Sequence, residues 1–126
     1  MSRELGPLLL VEDDLAVARA VARVLRSAGY SVDVAGSCVQ ARGRAEQRRY
    51  AAAIVDIELP DGLGTDLANE LFDQRRVERV VFFTSEALQG LLKRAAELGP
   101  VVAKRDGPEA LLAAVGEQLP ALRARS

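Results

Sequence analysis

Leu8-Leu9-Leu10-Val11-Glu12-Asp13-Asp14 is an apolar run that gives way, within one residue, to three consecutive acids. A strand with one face in water alternates apolar and polar residues, whereas an unbroken apolar run suits a parallel strand covered on both faces. The same form returns at Ala51-Ala52-Ala53-Ile54-Val55, Arg79-Val80-Val81-Phe82-Phe83 and Val101-Val102-Ala103. Ser31-Val32-Asp33-Val34-Ala35 instead alternates, which marks an edge strand.

The segments between these runs carry helical spacing. Val17, Val21, Val24, Leu25 and Ala28 form a stripe that stops at Gly29. Ser37-Cys38-Val39-Gln40 has the capping-box form and opens a second helix through about Arg48. Leu67, Leu71 and Phe72 mark a third helix, and Leu88, Leu91, Leu92, Ala95 and Leu98 a fourth, closed by Gly99-Pro100. Pro108 starts a fifth, carried by Leu111, Leu112, Val115 and Leu119. Strands and helices alternating in this way imply right-handed crossovers and a three-layer, doubly wound α/β domain with a five-stranded parallel sheet. No break in composition divides the 126 residues, so one domain over 1–126 is expected, with its core at about 7–120.

Composition narrows the chemistry. With no histidine, nucleophiles activated by imidazole and His-ligated metals are excluded; with one cysteine, Cys38, so are internal disulfides and multi-cysteine zinc sites. Seventeen Lys+Arg against 18 Asp+Glu remove the global electrostatic case for nucleic acid or an anionic membrane. Apolar stretches are only a handful of residues long against the ~20 of a membrane span, and Met1 to Pro7 do not form a signal peptide. A cytoplasmic location is expected. The run Arg42, Arg44, Arg48, Arg49 is interrupted by Glu46 and lacks aromatics, so it reads as a solvated face; Arg75, Arg76 and Arg79 read as charges complementing a helix C-terminus. Leu59-Pro60-Asp61-Gly62 reads as a turn.

In open parallel sheets ligands bind beyond the carboxyl ends of the strands, where strand order reverses. Those positions hold Glu12, Asp13 and Asp14 after the first strand, Asp56 after the third, Thr84 and Ser85 after the fourth and Lys104 after the fifth. With order 2-1-3-4-5 the first and third strands are neighbours about 4.8 Å apart, which gathers Glu12, Asp13 and Asp56. Clustered carboxylates either shift their pKa values upward or recruit a cation, and hard oxygen donors without His or Cys favour Mg²⁺. Alone, Glu12-Asp13-Asp14 would read equally as a solvated loop with a helix cap. Together with a hydroxyl and a lysine, the acids suit a phosphoryl group, with Asp56 as the candidate nucleophile.

These stretches, with Ile54-Val55-Asp56-Ile57-Glu58-Leu59-Pro60-Asp61-Gly62-Leu63-Gly64, Phe82-Phe83-Thr84-Ser85-Glu86 and Val102-Ala103-Lys104, resemble the receiver domain of two-component response regulators. The resemblance implies a flavodoxin-like sheet of order 2-1-3-4-5, with Asp56 as phosphoacceptor in a Mg²⁺-dependent reaction. It further implies Asp13 and Asp56 as metal ligands, Glu12 acting through water, and the backbone carbonyl of Glu58 completing the set. Thr84 would hydrogen-bond the phosphoryl group and Lys104 would pair with it. The donor would be a histidine kinase or phosphotransfer protein, the recipient of the signal a downstream protein or output domain. Such a domain is no enzyme beyond its own phosphorylation and dephosphorylation.

Two positions depart from the family pattern. Arg105 follows Lys104 where a cis-proline is usual, and a cis bond without proline costs about 3 kcal/mol. Val101 stands where the family has a switching aromatic. They motivate an alternative reading as a phosphorylation-independent pseudo-receiver. A third reading, a Mg²⁺-dependent phosphoryl or nuclease site built on Glu12, Asp56 and Glu58, requires the last two to share a face across Ile57, which an extended strand end allows only if it continues through Pro60.

Overall fold

The computed structural model describes residues 6–85 and 88–119. The readings made at Met1 to Leu5, at Glu86 and at Pro120 lie outside the described residues. Five parallel strands, β1 (Pro7–Val11), β2 (Ser31–Ala35), β3 (Tyr50–Val55), β6 (Val77–Thr84) and β7 (Val101–Ala103), form one sheet in the order β2-β1-β3-β6-β7. This is the expected order with β2 at an edge. A further ladder, β4 (Glu58–Leu59) against β5 (Gly62–Leu63), is antiparallel and separate. The Leu59 to Gly62 stretch is therefore a hairpin whose turn is only Pro60-Asp61, where a turn alone was expected.

Among the described residues five α-helices cover the sheet: α1 (Leu15–Ser27), α2 (Cys38–Gln47), α3 (Gly64–Asp73), α4 (Gln89–Leu98) and α5 (Gly107–Gln118). Because strand side chains alternate between faces, the continuous apolar runs feed two cores. Leu8, Leu10, Ala52, Ile54, Val81 and Phe83 meet Ala18, Val21 and Leu25 of α1 and Leu111 and Val115 of α5. Leu9, Val11, Ala53, Val55, Val80 and Phe82 meet Ala41 and Ala45 of α2, Leu67 and Leu71 of α3 and Ala95 of α4. No helix among the described residues is long and apolar enough to cross a membrane.

Helix ends differ in detail from the sequence reading. Asp14 caps α1 by accepting from the N–H groups of Ala16 and Val17. Ser37 Oγ accepts from Gln40 N as a capping box requires, but Gln40 Oε1 reaches the N–H of Gly36, one residue short of closing the box. Helix α2 ends at Gln47, with Arg48 as its C-cap. Leu88 lies before α4 rather than on its buried stripe and is 64% exposed. Arg75 and Arg76 lie beyond α3 instead of in its last turn. There, Arg75 N–H donates to Phe72 O and Arg76 N–H to Leu71 O, with Arg75 in the left-handed conformation at φ 56°. Glycine fills the equivalent place after α1, at Gly29 (φ 104°). In the basic run, Arg42 pairs with Glu70 at 2.8 Å, and Arg48 lies near Asp33 and over the Tyr50 ring.

Candidate functional site

The strand register brings the predicted residues to one point. Val11 pairs with Val55 and Val55 with Phe82, and the bond from Asp56 N to Val11 O extends the ladder one residue past β3. Asp56 thus stands beside Glu12, whose own N–H is held by Ala35 O. Thr84 ends β6 opposite Ala103 of β7, so Lys104 emerges at the same rim as the first residue of a 3₁₀ turn, Lys104–Asp106. No peptide bond is cis among the described residues, and Arg105 is exposed in that turn. Gly64 closes the floor: a Cβ there would lie 2.0 Å from the backbone oxygen of Asp56, so only glycine permits α3 to start this close.

Asp56 is almost fully buried, and both of its carboxylate oxygens are engaged. Oδ1 accepts from the Thr84 hydroxyl at 2.9 Å and from the Glu58 N–H at 3.3 Å; Oδ2 accepts from Lys104 Nζ at 2.7 Å. Lys104 also reaches Glu12, 2.9 Å from Oε2. Glu12 is buried as well and accepts from Asp14 N–H. Burial pushes the Glu12 carboxyl above its usual 4.5, against the lowering effect of Lys104 and the Asp14 N–H. Burial pulls the Lys104 ammonium down, but its hydrogen bonds to Asp56 and Glu12 outweigh this and leave it above its usual 10.5.

Glu12, exposed Asp13 and Asp56 each place a carboxylate oxygen within 4.8 Å of the others. With all three ionised, the single ammonium of Lys104 leaves two negative charges uncompensated, and every donor is a hard oxygen. That donor set fits a divalent cation such as Mg²⁺. Glu58 meets Asp56 through its backbone N–H, and its side chain is exposed. With β3 ending at Val55, the condition for a carboxylate pair of Asp56 with Glu58 on one continuous strand is not met.

One residue at this rim escaped the sequence reading. Asp61, in the hairpin turn, accepts from Cys38 N–H at 2.7 Å and Val39 N–H at 3.0 Å, which holds its carboxyl below the usual 3.8. An acid between Pro and Gly satisfies a turn on its own, so nothing local pointed to a partner 23 residues away.

The response regulator receiver domain family matches residues 8–116 of the chain. The acid tolerance regulatory protein ActR of Rhizobium meliloti (strain 1021) is 30% identical over 116 residues, covering 88% of this chain and 60% of the relative. The photosynthetic apparatus regulatory protein RegA of Cereibacter sphaeroides is 30% identical over 92 residues, 73% of this chain and 50% of the relative. The chain thus spans less than two thirds of the length of these curated relatives. Among solved structures, a CheY-like response regulator receiver domain protein from Methanospirillum hungatei JF-1 superposes with a TM-score of 0.86 at 25% identity, over 98% of this chain and all of that one. A response regulator protein from Burkholderia pseudomallei, solved with a phosphorylated aspartic acid, calcium ion and citrate, gives 0.78 at 26% identity over 94% of this chain and 71% of that one.

Proposed function

The chain belongs to the response regulator receiver domain family of two-component signalling, and from that premise we propose that Asp56 is the residue that takes up the phosphoryl group. The observation that carries this reading is the buried Asp56 carboxylate, held by Lys104 on one oxygen and by Thr84 and the Glu58 N–H on the other, beside two further acids.

The donor is a phosphohistidine on a partner kinase or phosphotransfer protein, because this chain has no histidine of its own. An Asp56 oxygen attacks phosphorus and forms the new P–O bond; the P–N bond of the donor breaks, and the imidazole leaves with the electron pair and takes up a proton. Lys104 and Thr84, both within hydrogen-bond distance of Asp56, then hold the phosphoryl oxygens, and hydrolysis returns the free carboxylate. Mg²⁺ is the cofactor of this reading: bound by Asp13, Asp56 and the Glu58 backbone carbonyl, and by Glu12 through water, it would neutralise charge on the transferred group. The Burkholderia relative, with its phosphorylated aspartic acid and calcium ion, supports the pairing of acyl phosphate and divalent cation.

Among the described residues four large apolar side chains are exposed: Leu15, Val39, Leu63 and Leu88. Each lies where a helix begins beyond a strand, at the end of the sheet that holds Asp56. A rim of this kind supports a protein as the donor. The recipient of the signal is a downstream protein or an output domain, in keeping with the greater length of the curated relatives. We take 1–126 as one receiver unit with its core at about 7–120, acting in the cytoplasm without contact to nucleic acid or membrane of its own.

The deciding experiment is intact-mass spectrometry after incubation with acetyl phosphate and Mg²⁺. One added phosphoryl group is expected, absent in Asp56→Asn and in Asp13→Ala. No mass shift in the folded wild type would return the reading to a phosphorylation-independent interaction module.

A further inference from the structure

The antiparallel ladder β4–β5 is two residues long on each strand, Glu58 opposite Leu63 and Leu59 opposite Gly62. An isolated hairpin of this length does not hold itself in water. Yet its first residue, Glu58, supplies the N–H bound to Asp56 Oδ1. Its geometry must therefore be imposed from outside, and two tethers do so. At the base, Gly64 N–H donates to Ile57 O at 2.7 Å, and Gly64 sits against the Asp56 backbone. At the tip, the Asp61 carboxylate grips the N-terminus of α2 through Cys38 N–H and Val39 N–H.

Capping alone does not account for the tip tether. Helix α2 has its own N-cap in Ser37, which serves Gln40 N–H. Asp61 adds the two remaining amides of the first turn, Cys38 and Val39, so that all three are satisfied, and it does so with an ionised group at the positive end of the helix. The contact is close on the neighbouring residue too: a Cβ on Gly62 would stand 3.3 Å from Cys38 Sγ. The hairpin tip is thereby fastened to an element that contributes no side chain to the acidic cluster.

We infer that Asp61 is a positioning residue for the phosphoacceptor site: by locking the β4–β5 hairpin to α2 it fixes the Glu58 backbone, whose N–H orients the Asp56 carboxylate and whose carbonyl the reading above assigns to the divalent cation. The inference rests on the proposed role of Asp56 and extends it to a residue that touches neither phosphoryl group nor metal. Cutting the tip tether leaves the hairpin fastened at its base alone. The Glu58 peptide then samples several orientations, and part of the binding energy for the cation goes into ordering it.

The test compares wild type, Asp61→Ala and Asp61→Asn in three measurements: Mg²⁺ affinity by calorimetry without phosphodonor, the Glu58 amide resonance in the metal-free protein, and phosphorylation by acetyl phosphate as a function of Mg²⁺. Asp61→Ala is expected to weaken Mg²⁺ binding about tenfold, to shift the Glu58 amide, and to raise the Mg²⁺ concentration for half-maximal phosphorylation while leaving the rate at saturating Mg²⁺ near wild type. Asp61→Asn keeps one acceptor oxygen and is expected to recover part of the loss; it also serves if the alanine variant fails to fold. A lowered melting temperature with Mg²⁺ affinity and the Glu58 amide unchanged would reduce Asp61 to a helix cap and overturn the inference. A wild type that binds Mg²⁺ but takes no phosphoryl group would instead overturn the role of Asp56.

Discussion

Lys104 Nζ lies 2.7 Å from Asp56 Oδ2, from opposite flanks of the site. The lysine leaves the end of β7, at one edge of the sheet, and meets an acid that follows its central strand. A single ammonium thus holds Asp56 and Glu12 together, and its removal leaves two buried carboxylates facing each other.

Lys104→Ala is accordingly expected to destabilise the metal-free protein by about 2 kcal/mol, less than a fully buried pair would cost because the lysine keeps some contact with water. Saturating Mg²⁺ should restore part of that loss, since the cation replaces the missing positive charge. Urea denaturation with and without Mg²⁺ measures both effects. Equal destabilisation in the two conditions would show that the lysine and the cation do not share these acids.

Arg75 is exposed and holds a backbone conformation that favours glycine. Arg75→Gly should therefore raise the unfolding free energy by about 0.5–1 kcal/mol, with an unchanged slope in denaturant. A decrease would mean that the arginine side chain stabilises this turn by more than its backbone strain costs.

Thr65 is fully buried in the first turn of α3, and its hydroxyl has no hydrogen-bond partner among the described residues. Thr65→Val removes the orphaned oxygen at nearly constant volume and should stabilise the fold by about 1 kcal/mol. Thermal denaturation decides the sign.

The depressed pKa of Asp61 has a definite consequence for acid stability. Its folded-state value lies below the ordinary 3.8, so the stabilisation is complete above the unfolded pKa and disappears as pH falls through the folded one. The stability difference between wild type and Asp61→Asn should thus be constant from neutral pH down to about 5 and shrink below 4. A difference that persists unchanged to pH 2 would remove charge from the account of this contact.

Val101 of β7 pairs with Phe82 of β6 and is only partly buried, packed beside α4. Without an aromatic ring to swing, its amide should move little when beryllofluoride is added, while that of Thr84, bonded to Asp56, moves strongly. Equal shifts at both residues in amide spectra would show that β7 carries the change regardless of side chain.

The sheet was legible because its signal is thermodynamic: a strand buried on both faces must be apolar throughout, and Leu8 to Val11 and Ala51 to Val55 are. The acids were legible for the same reason, since a charged residue directly after such a run can only stand at its rim. Leu88 misled because helical spacing does not distinguish the last loop residue from the first buried one. The β4–β5 ladder has two residues a strand, too few for any period, and Asp61 satisfies turn chemistry without its distant partner. What stayed hidden was held by backbone groups of α2 and by Gly64, contacts that leave no mark on side-chain pattern.

Strand β3 is flanked by β1 and β6, and all six of its residues are buried. Its amides are expected among the slowest to exchange with deuterium, and those of the hairpin and the 3₁₀ turn to exchange faster through local opening. Asp56 therefore directly follows the most deeply flanked strand, while Lys104 and the Glu58 N–H that meet it come from a 3₁₀ turn and a two-residue hairpin. Substitutions in those loops can lengthen or shorten the life of an acyl phosphate over a wide range while the melting temperature stays where β3 and its neighbours set it.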